Sequence, residues 1–227
     1  MHGPHRLQTF GHNATAHLVL PAPMVVGDER VLLCDPLTGL VAYPSFESYL
    51  RDNLLALAPT GVHLAIGDVD DLKAHVTERR LSDPLMFGHI AGNICMRTVG
   101  SLTLQWAEEA LQDWLFSACG TFGGDEVIVA AAGRPYEEFV DRVGELADAI
   151  RSMAPRPCSF ATGSLTQEDV DELDPDIAYL RLVTSVDAAL FDHKCELRAQ
   201  GIAPNGAMVN QGRIDLAAGL PAPKAER

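Results

Sequence analysis

A glycine turn between two apolar runs is the feature that most limits how this chain can fold. The runs are WLFSACGTF (114–122) and EVIVAAA (126–132), and Gly123-Gly124-Asp125 joins them. Apolar runs of this length that are separated by so short a glycine turn predict a β-hairpin. The elements on either side of this hairpin then decide the fold class.

Regular patterns lie on both sides of the hairpin. In chain order they predict a strand over VHLAIGDV (62–69), a helix over about 90–110, the hairpin, a helix from Pro135, a strand over CSFATGSL (158–165) and a helix over about 177–198. Strand, helix, two strands, helix and strand is the split βαβ, ferredoxin-like order. The sequence therefore predicts an α+β fold of the βαββαβ type, with an antiparallel central sheet flanked by helices.

An earlier helix and two irregular ends complete the chain. Ser45 is the predicted N-cap of a helix whose apolar face consists of Phe46, Tyr49, Leu50, Leu54 and Leu57. Residues 1–30, which contain four of the eight histidines, are interpreted as a leader. Residues 201–227 are rich in Ala, Pro and Gly and are expected to be a flexible tail. One compact domain is expected over 31–200.

Charge, cysteine spacing and hydropathy exclude several classes of protein. A formal net charge of −14 argues against binding along a nucleic-acid backbone, although a metal ion can still bring a small phosphate ligand to carboxylates. The five cysteines are widely spaced and form no Cys-x-x-Cys pair, which disfavours a disulfide framework and a zinc site. No apolar run reaches the length of a membrane span and no signal peptide is seen, so a cytoplasmic protein is expected.

Two groups of acidic residues are the strongest candidates for chemistry. Asp68, Asp70 and Asp71 end one predicted strand, and Asp125 and Glu126 lie at the hairpin tip. These strands can be neighbours in a ferredoxin-like sheet, so the carboxylates are expected to converge. Mg²⁺ or Mn²⁺ would relieve the repulsion between them, because both ions prefer oxygen ligands. The alternative is that they are solvated turn acids.

The Gly123-Gly124 pair also has two interpretations. Glycines without side chains let backbone amides approach and cradle a phosphate. An ordinary hairpin turn uses the same residues.

Five segments resemble, in the same order, the motifs of the GGDEF family of nucleotidyl cyclases. They are DPLTGL (35–40), DVDDLK (68–73), FGHIAGN (87–93), GGDEV (123–127) and DAALFDHK (187–194), the last followed by Arg198. Each motif is short, but five motifs in the family's order form a specific pattern. The resemblance covers about residues 35–198 and implies the same ferredoxin-like fold.

The resemblance implies a metal and nucleotide site. Asp68, Asp125 and the Val69 carbonyl would hold Mg²⁺ or Mn²⁺. Asp125, Glu126 and Lys73 would be the catalytic residues, with Glu126 supporting the metal or acting as a base. The residues that would contact phosphates are Leu72, Lys73, Gly123, Gly124, Lys194 and Arg198.

The implied activity is that of a diguanylate cyclase. The ribose 3′-hydroxyl of one nucleoside triphosphate attacks the α-phosphate of a second, and pyrophosphate is released at a two-metal site. Each protomer would hold one nucleotide, so the active form is expected to be a homodimer. Catalysis would then come from positioning and charge stabilisation.

The base pocket departs from the family. The two positions that read guanine in the family are Val76 and Asn93 here. A carboxylate accepts hydrogen bonds from both the ring N–H and the amine of guanine, whereas Asn93 offers one acceptor and one donor. The alternatives are guanine bound to a rotated Asn93, a preference for adenine, or relaxed selectivity, so the substrate is GTP or ATP.

Three further departures concern phosphate binding and regulation. Thr121 replaces an Arg that would contact phosphate. Trp114 and Ser117 stand where the family's product-inhibition motif has Arg and Asp, so feedback by a bound cyclic dinucleotide is not expected at that position. Residues 77–87 exceed the usual length and are interpreted as a solvated insertion, with Asp83 as an alternative pocket residue.

These departures leave a second function open. The chain would then be a catalytically degenerate GGDEF module that binds nucleotide or a protein partner as a signalling component. Asp125→Asn is expected to abolish pyrophosphate release if the chain is a cyclase, and to leave binding of a partner largely intact if it is a non-catalytic module.

Overall fold

The structure is a computed structural model that describes residues 32–83, 85–86, 89–171 and 174–214. The leader predicted over 1–30 lies outside the described residues, as do Phe87 and Gly88 of the third motif. Among the described helices, none combines the length and apolarity that a bilayer crossing requires.

Six strands and six α-helices follow one another along the described chain. They are β1 (Val41–Ala42), α1 (Tyr43–Leu57), β2 (Val62–Val69), α2 (Leu72–Ser82), α3 (Ile90–Ala110), β3 (Phe116–Thr121), β4 (Glu126–Ala132), α4 (Tyr136–Met153), β5 (Cys158–Leu165), α5 (Gln167–Asp171), α6 (Pro175–Ala199) and β6 (Met208–Arg213). The predicted strands 62–69, 126–132 and 158–165 and the predicted helix 90–110 are confirmed at both ends.

The strands form one sheet in the order β1-β3-β4-β2-β5-β6. Its four inner strands pair with one another in antiparallel fashion, and β2 lies between β4 and β5. This is the ferredoxin-like arrangement that the element order predicts. The edge strands β1 and β6 add in parallel to β3 and β5. β2 is therefore an inner strand of the sheet, with two strands beyond β4 on one side and one strand beyond β5 on the other.

Helices cover both faces of the sheet, which explains why the inner strands are apolar at nearly every position. On one face, α1 and α6 pack over the side chains of Leu64 and Ile66 from β2. On the other face, α3 and α4 pack over Ala65 and Val69 from the same strand. Successive side chains of β2 thus enter opposite halves of the core, and the strand is held in one register.

The first helix begins earlier than predicted. Its N-cap is Ala42, and Pro44 occupies the first turn, where the missing amide hydrogen costs nothing. Ser45 is therefore not the N-cap. Its hydroxyl instead accepts a hydrogen bond from the Leu33 amide at 3.1 Å, and so ties the segment before β1 to the helix.

Most of the predicted 77–87 insertion is helical. Residues up to Ser82 continue α2, a helix with no buried side chain, so the expectation of a solvated segment holds while its conformation differs. Asp83 ends the helix and accepts a hydrogen bond from the Leu85 amide at 2.9 Å. It does not line the cleft described below, and its role as a pocket residue stays a prediction. A helix that buries no side chain fully lacks the wide apolar stripe that reveals other helices.

The strand β6 lies in the segment for which a flexible tail was expected. Its residues pair with β5, from Phe160 opposite Met208 to Ser164 opposite Arg213. This pairing with a distant strand orders the segment, and local sequence patterns do not report such pairing. Residues 215–227 of the predicted tail lie outside the described residues.

Candidate functional site

The two acidic groups meet at one end of the sheet, as predicted. Asp68 on β2 is directly opposite Glu126 on β4. The Val69 amide donates a hydrogen bond to the Asp125 carbonyl at 3.0 Å, which fixes the hairpin tip against the end of β2. Strand register therefore brings together three carboxylates that lie up to 58 positions apart (126 minus 68).

The hairpin tip presents bare backbone to solvent. Gly123 and Gly124 have φ angles of 108° and 68°, which side chains rarely adopt, and a Cβ added at either would meet no atom within 4 Å. Thr121 shapes this turn. Its hydroxyl donates to the Glu126 carbonyl at 2.7 Å and accepts from the Gly123 amide at 2.9 Å. Thr121 thus serves the hairpin, where a phosphate-binding Arg was expected from the family pattern.

Lys194 reaches the same place from α6. Its ammonium contacts the Asp68 carboxylate, donates to the Asp68 carbonyl at 3.0 Å, and lies 2.8 Å from Asp70 Oδ1. Only 6% of the side chain is exposed. Burial alone would lower its pKa, but the bonds to the two carboxylates raise the pKa of Lys194 above its ordinary value. The predicted phosphate-binding lysine is therefore charged and already paired.

Two arginines flank the start of α2. Arg156 donates to the Asp70 carbonyl at 2.9 Å and lies 3.3 Å from the Asp71 carboxylate. Arg198 lies 4.0 Å from the other Asp71 oxygen. Asp71 itself has a left-handed φ of 52° where β2 turns into the helix. These cations lie beside the acidic cluster and balance part of its charge.

A cleft of about 800 Å³ opens beside these residues. Its walls come from the end of β2, the first turns of α2, the hairpin tip and α6. It is lined by Asp68, Val69, Asp71, Leu72, Lys73, Ala74, Thr77, Glu78, Asp125, Glu126, Asp187, Leu190, Phe191, Lys194 and Arg198. The cleft thus contains both predicted metal carboxylates, the predicted catalytic residues and most of the predicted phosphate contacts.

Four of the predicted site residues do not line the cleft. Gly123 and Gly124 lie at the hairpin tip, next to Asp125. Val76 points toward α3, where its Cγ2 would be 3.2 Å from a Cβ added at Gly92. Asn93 is exposed on α3. The base-reading role of Val76 and Asn93 therefore stays a prediction.

Asp187 was not among the predicted site residues. It lies on α6 seven residues before Lys194 and enters the cleft with Phe191. Both residues stand in the DAALFDHK motif, and spacing of i, i+4 and i+7 puts them on the face of the helix that carries Lys194. That spacing was the available signal.

Burial and crowding raise the proton affinity of the acids. Burial is the main cause that raises the pKa of Glu126 to about 7, and the charges of Asp187, Asp68 and Asp125 add to it. Burial also raises the pKa of Asp68, although Lys194 opposes this, and raises that of Asp187. Six acidic and three basic side chains line the cleft, so the acids outnumber its cations.

The donor set fits a hard divalent cation. Asp68 and Asp125 supply carboxylate oxygens, the type of ligand that Mg²⁺ and Mn²⁺ prefer. In the described part of the chain, no three His, Cys, Asp or Glu side chains form a complete metal cluster. Backbone oxygens such as the Val69 carbonyl, or oxygens of a bound ligand, would have to complete the coordination. A cation held this way would also offset the part of the pKa rise of Glu126 that comes from the neighbouring carboxylates.

Comparison with solved structures finds the same fold in several GGDEF proteins. The diguanylate cyclase SiaD from Pseudomonas aeruginosa, solved with its activator SiaC, is 20% identical, with a TM-score of 0.60 over 78% of this chain and 61% of that chain. The GGDEF domain of DgcB from Caulobacter crescentus, solved with c-di-GMP, is 16% identical, with a TM-score of 0.60 over 81% of this chain and 98% of that chain. The GGDEF domain of FimX from Pseudomonas aeruginosa is 14% identical, with a TM-score of 0.56 over 80% of this chain and all of that chain.

These likenesses concern the fold. This chain spans about three fifths of the length of SiaD, and the whole of the FimX domain. No family model matches the sequence, and no curated protein matches it. The structural comparison therefore confirms, at the level of the fold, the resemblance that the five motifs indicate.

Proposed function

We propose that this chain, which has the fold of GGDEF domains, is a nucleotidyl cyclase module that condenses two nucleoside triphosphates, GTP or ATP, into a cyclic dinucleotide. The observation that carries the proposal is the shared cleft of Asp68, Asp125 and Glu126, with Lys73, Lys194 and Arg198 around it. Carboxylates for a metal and cations for phosphates are the two requirements of phosphoryl transfer. Strand register and the position of α6 bring both to one place.

Mg²⁺ or Mn²⁺ would be held by the Asp68 and Asp125 carboxylates and the Val69 carbonyl. When bound, the cation neutralises charge on the phosphates and favours the leaving of pyrophosphate. Lys73, Arg198 and the amides of the Gly123-Gly124 turn would hold the remaining phosphate oxygens, because Lys73 and Arg198 line the cleft and the turn is open.

Glu126 would be the general base of the reaction. Without a cation the pKa of Glu126 is about 7, and a bound cation favours its charged carboxylate, which is the form that can accept a proton. Glu126 would accept the proton of the attacking ribose 3′-hydroxyl. The 3′ oxygen then forms a bond to the α-phosphorus of the facing nucleotide, the bond from that phosphorus to the bridging oxygen breaks, and pyrophosphate leaves.

One protomer binds only one of the two nucleotides that react. Each cleft would hold one nucleotide, and the hydroxyl that attacks belongs to the nucleotide in the facing protomer. The turnover rate per chain is therefore expected to rise with protein concentration until the homodimer is saturated.

A non-catalytic nucleotide-binding module is the second candidate. Two observations favour it. The predicted base-reading residues Val76 and Asn93 do not line the cleft. Thr121, which stands where the family has a phosphate-binding Arg, forms its hydrogen bonds within the hairpin. Such a module would bind a triphosphate with a cation and release no pyrophosphate.

Pyrophosphate release from purified protein tests the proposal. The four ribonucleoside triphosphates are supplied separately with Mg²⁺ or Mn²⁺, over a hundredfold range of protein concentration, and products are identified by mass spectrometry. A cyclic dinucleotide from GTP or ATP, formed faster per chain at high concentration, supports the cyclase. Binding without product at every concentration supports the second candidate.

A further inference from the structure

Asp70 is a fully buried carboxylate to which the proposed chemistry assigns no role. It has no exposed surface. Its Oδ2 accepts hydrogen bonds from the Ser159 hydroxyl at 2.7 Å and the Gly206 amide at 2.8 Å, and its Oδ1 is paired with the Lys194 ammonium at 2.8 Å. Burying a carboxylate is costly unless it is paired and hydrogen-bonded in this way. Every hydrogen bond and ion pair described for this carboxylate leads either to Lys194 or away from the cleft.

The contacts away from the cleft reach the segment 203–214, which we call the C-terminal strap. Arg151 on α4 donates to the Asn205 carbonyl at 3.3 Å and to the Gly206 carbonyl at 2.6 Å. The Ala207 amide donates to Ser159 Oγ at 3.0 Å, and β6 continues the strap along β5. Gly206 has a φ of 66°, and a Cβ there would lie 2.8 Å from Arg151. The strap is therefore fixed where its amide meets Asp70.

The pairing of Lys194 creates a conflict at the cleft. Lys194 contacts the Asp68 carboxylate, yet Asp68 is needed for the cation when nucleotide binds. When Lys194 exchanges the Asp68 carboxylate for a phosphate oxygen, the Asp68 carbonyl at 3.0 Å and the Asp70 carboxylate at 2.8 Å still hold its ammonium at the cleft floor. Asp70 is the charged partner of the two, and it faces Lys194 from the buried side.

We propose that Asp70, held by Ser159 and by Gly206 of the C-terminal strap, is the positioning residue of the phosphate site. It keeps Lys194 in place while Asp68 changes its partner from the lysine to the cation. This inference rests on the proposed function, because it requires a triphosphate and a cation in the cleft. It makes the strap part of the site, although no strap residue lines the cleft.

The test measures binding of inorganic tripolyphosphate in the presence of Mg²⁺, which needs neither a base nor turnover. Asp70→Asn keeps the shape of the side chain and an oxygen for Ser159 and Gly206, but it places an uncharged amide against Lys194. Loss of a charge-assisted contact predicts an affinity about 10- to 100-fold weaker, measured by calorimetry well below the unfolding temperature.

A second buried acid serves as the matched control. Asp169 is 5% exposed and pairs with Arg213 of the same strap at 2.8 Å, but it does not line the cleft. Asp169→Asn is expected to lower stability and to leave the tripolyphosphate affinity of the folded protein within about twofold. If Asp70→Asn does not fold, Ser159→Ala replaces it, with an expected loss of about 3- to 10-fold.

The outcomes separate the inference from the proposed function. Wild-type affinity in Asp70→Asn, or in Ser159→Ala where that variant replaces it, overturns the inference and leaves the cyclase standing. Equal weakening in Asp169→Asn also overturns it, because the effect would then belong to the fold. If the wild-type protein binds no tripolyphosphate with Mg²⁺, the phosphate site fails and the proposed function fails with it.

Discussion

Asp68 and Glu126 face each other across β2 and β4 as a directly opposed pair. Two like charges in this position destabilise a sheet unless something neutralises one of them. Here Lys194 pairs with Asp68, while Glu126, with a pKa of about 7, keeps its proton at lower pH. Without a cation the repulsion between the two is therefore small below neutral pH, because Asp68 is ion-paired and Glu126 is largely protonated.

Cation binding is predicted to release a proton from Glu126. At pH 6 this carboxyl is mostly protonated, because its pKa of about 7 lies above the pH. A divalent cation beside Asp68 and Asp125 favours the charged form and displaces the proton. Titration calorimetry with Mn²⁺ in buffers of different ionisation enthalpy should give a release of several tenths of a proton per cation. Glu126→Gln should release markedly less, and equal release from both proteins would contradict the assignment.

The same residue sets a pH dependence of stability in the absence of metal. Its folded pKa of about 7 exceeds the ordinary value of 4.5, so the folded state binds the proton more tightly than the unfolded state. This contribution is fully present below pH 4.5 and is lost as pH rises to about 7. The free energy of unfolding of the wild-type protein, relative to Glu126→Gln, should fall across that window and be level above it. A flat difference from pH 4 to 8 would show that Glu126 is not perturbed.

Gly67 is predicted to tolerate no side chain. Gly67 directly precedes Asp68 on β2, and a Cβ added at Gly67 would lie 2.4 Å from the buried ring of Phe160. Gly67→Ala should therefore lower the free energy of unfolding by about 1–3 kcal/mol in urea denaturation. Gly144 on α4 is the control, since its Cβ would meet no atom within 4 Å. Gly144→Ala should raise stability by about 0.5–1 kcal/mol, and the same sign for both substitutions would contradict the packing described for β2.

His63 is predicted to make stability fall in mild acid. Its Nε2 lies 2.7 Å from the Arg134 carbonyl and must donate, so Nδ1 accepts from the Ser164 hydroxyl at 2.8 Å. Burial lowers the pKa of this neutral imidazole below 6.5. The unfolded state therefore takes up the proton first, and stability is full above pH 6.5 and decreases below it, by at most about 1.4 kcal/mol per pH unit. Denaturation of His63→Gln should show a shallower decrease, and an identical decrease would contradict the burial of a neutral His63.

Asn93 is predicted to influence the choice of base. If the base covers Asn93, replacing its amide by a carboxylate satisfies a second guanine donor, whose loss costs about 1–3 kcal/mol. Asn93→Asp should then raise the ratio of GTP to ATP turnover by roughly 5- to 150-fold. An unchanged ratio would mean that the base is not read from α3. Glu78, the carboxylate on the cleft side of α2, would then be the next residue to substitute.

Local patterns predicted the elements whose conformation is signalled by their own residues. The strand over 62–69 and the hairpin strands are apolar runs bounded by turn residues, and the helix over 90–110 carries the apolar period of a helix. β6 escaped prediction because its sequence, MVNQGR, has no such pattern and gains its order from β5. α2 escaped because none of its side chains is buried.

One part of the candidate site could be predicted from local patterns and another part could not. Convergence of Asp68 with Asp125 and Glu126 followed from strand ends, since neighbouring antiparallel strands bring the end of one to the start of the next. The pairing of Lys194 with Asp68 and Asp70 could not be predicted, because it depends on where α6 crosses the sheet. Positions of helices over a sheet come from packing between distant residues, which no single segment reveals.

Pyrophosphate release by Asp125→Asn is the most direct test of the central claim, that this cleft performs metal-dependent condensation of nucleotides. The control is Asp113→Asn, an exposed acid at the opposite end of the hairpin whose nearest cation is Arg134 at 3.8 Å. With Mg²⁺ and the preferred triphosphate, wild-type protein and Asp113→Asn should release pyrophosphate at similar initial rates. Asp125→Asn should lose at least about 100-fold. Undiminished release by Asp125→Asn would contradict the account.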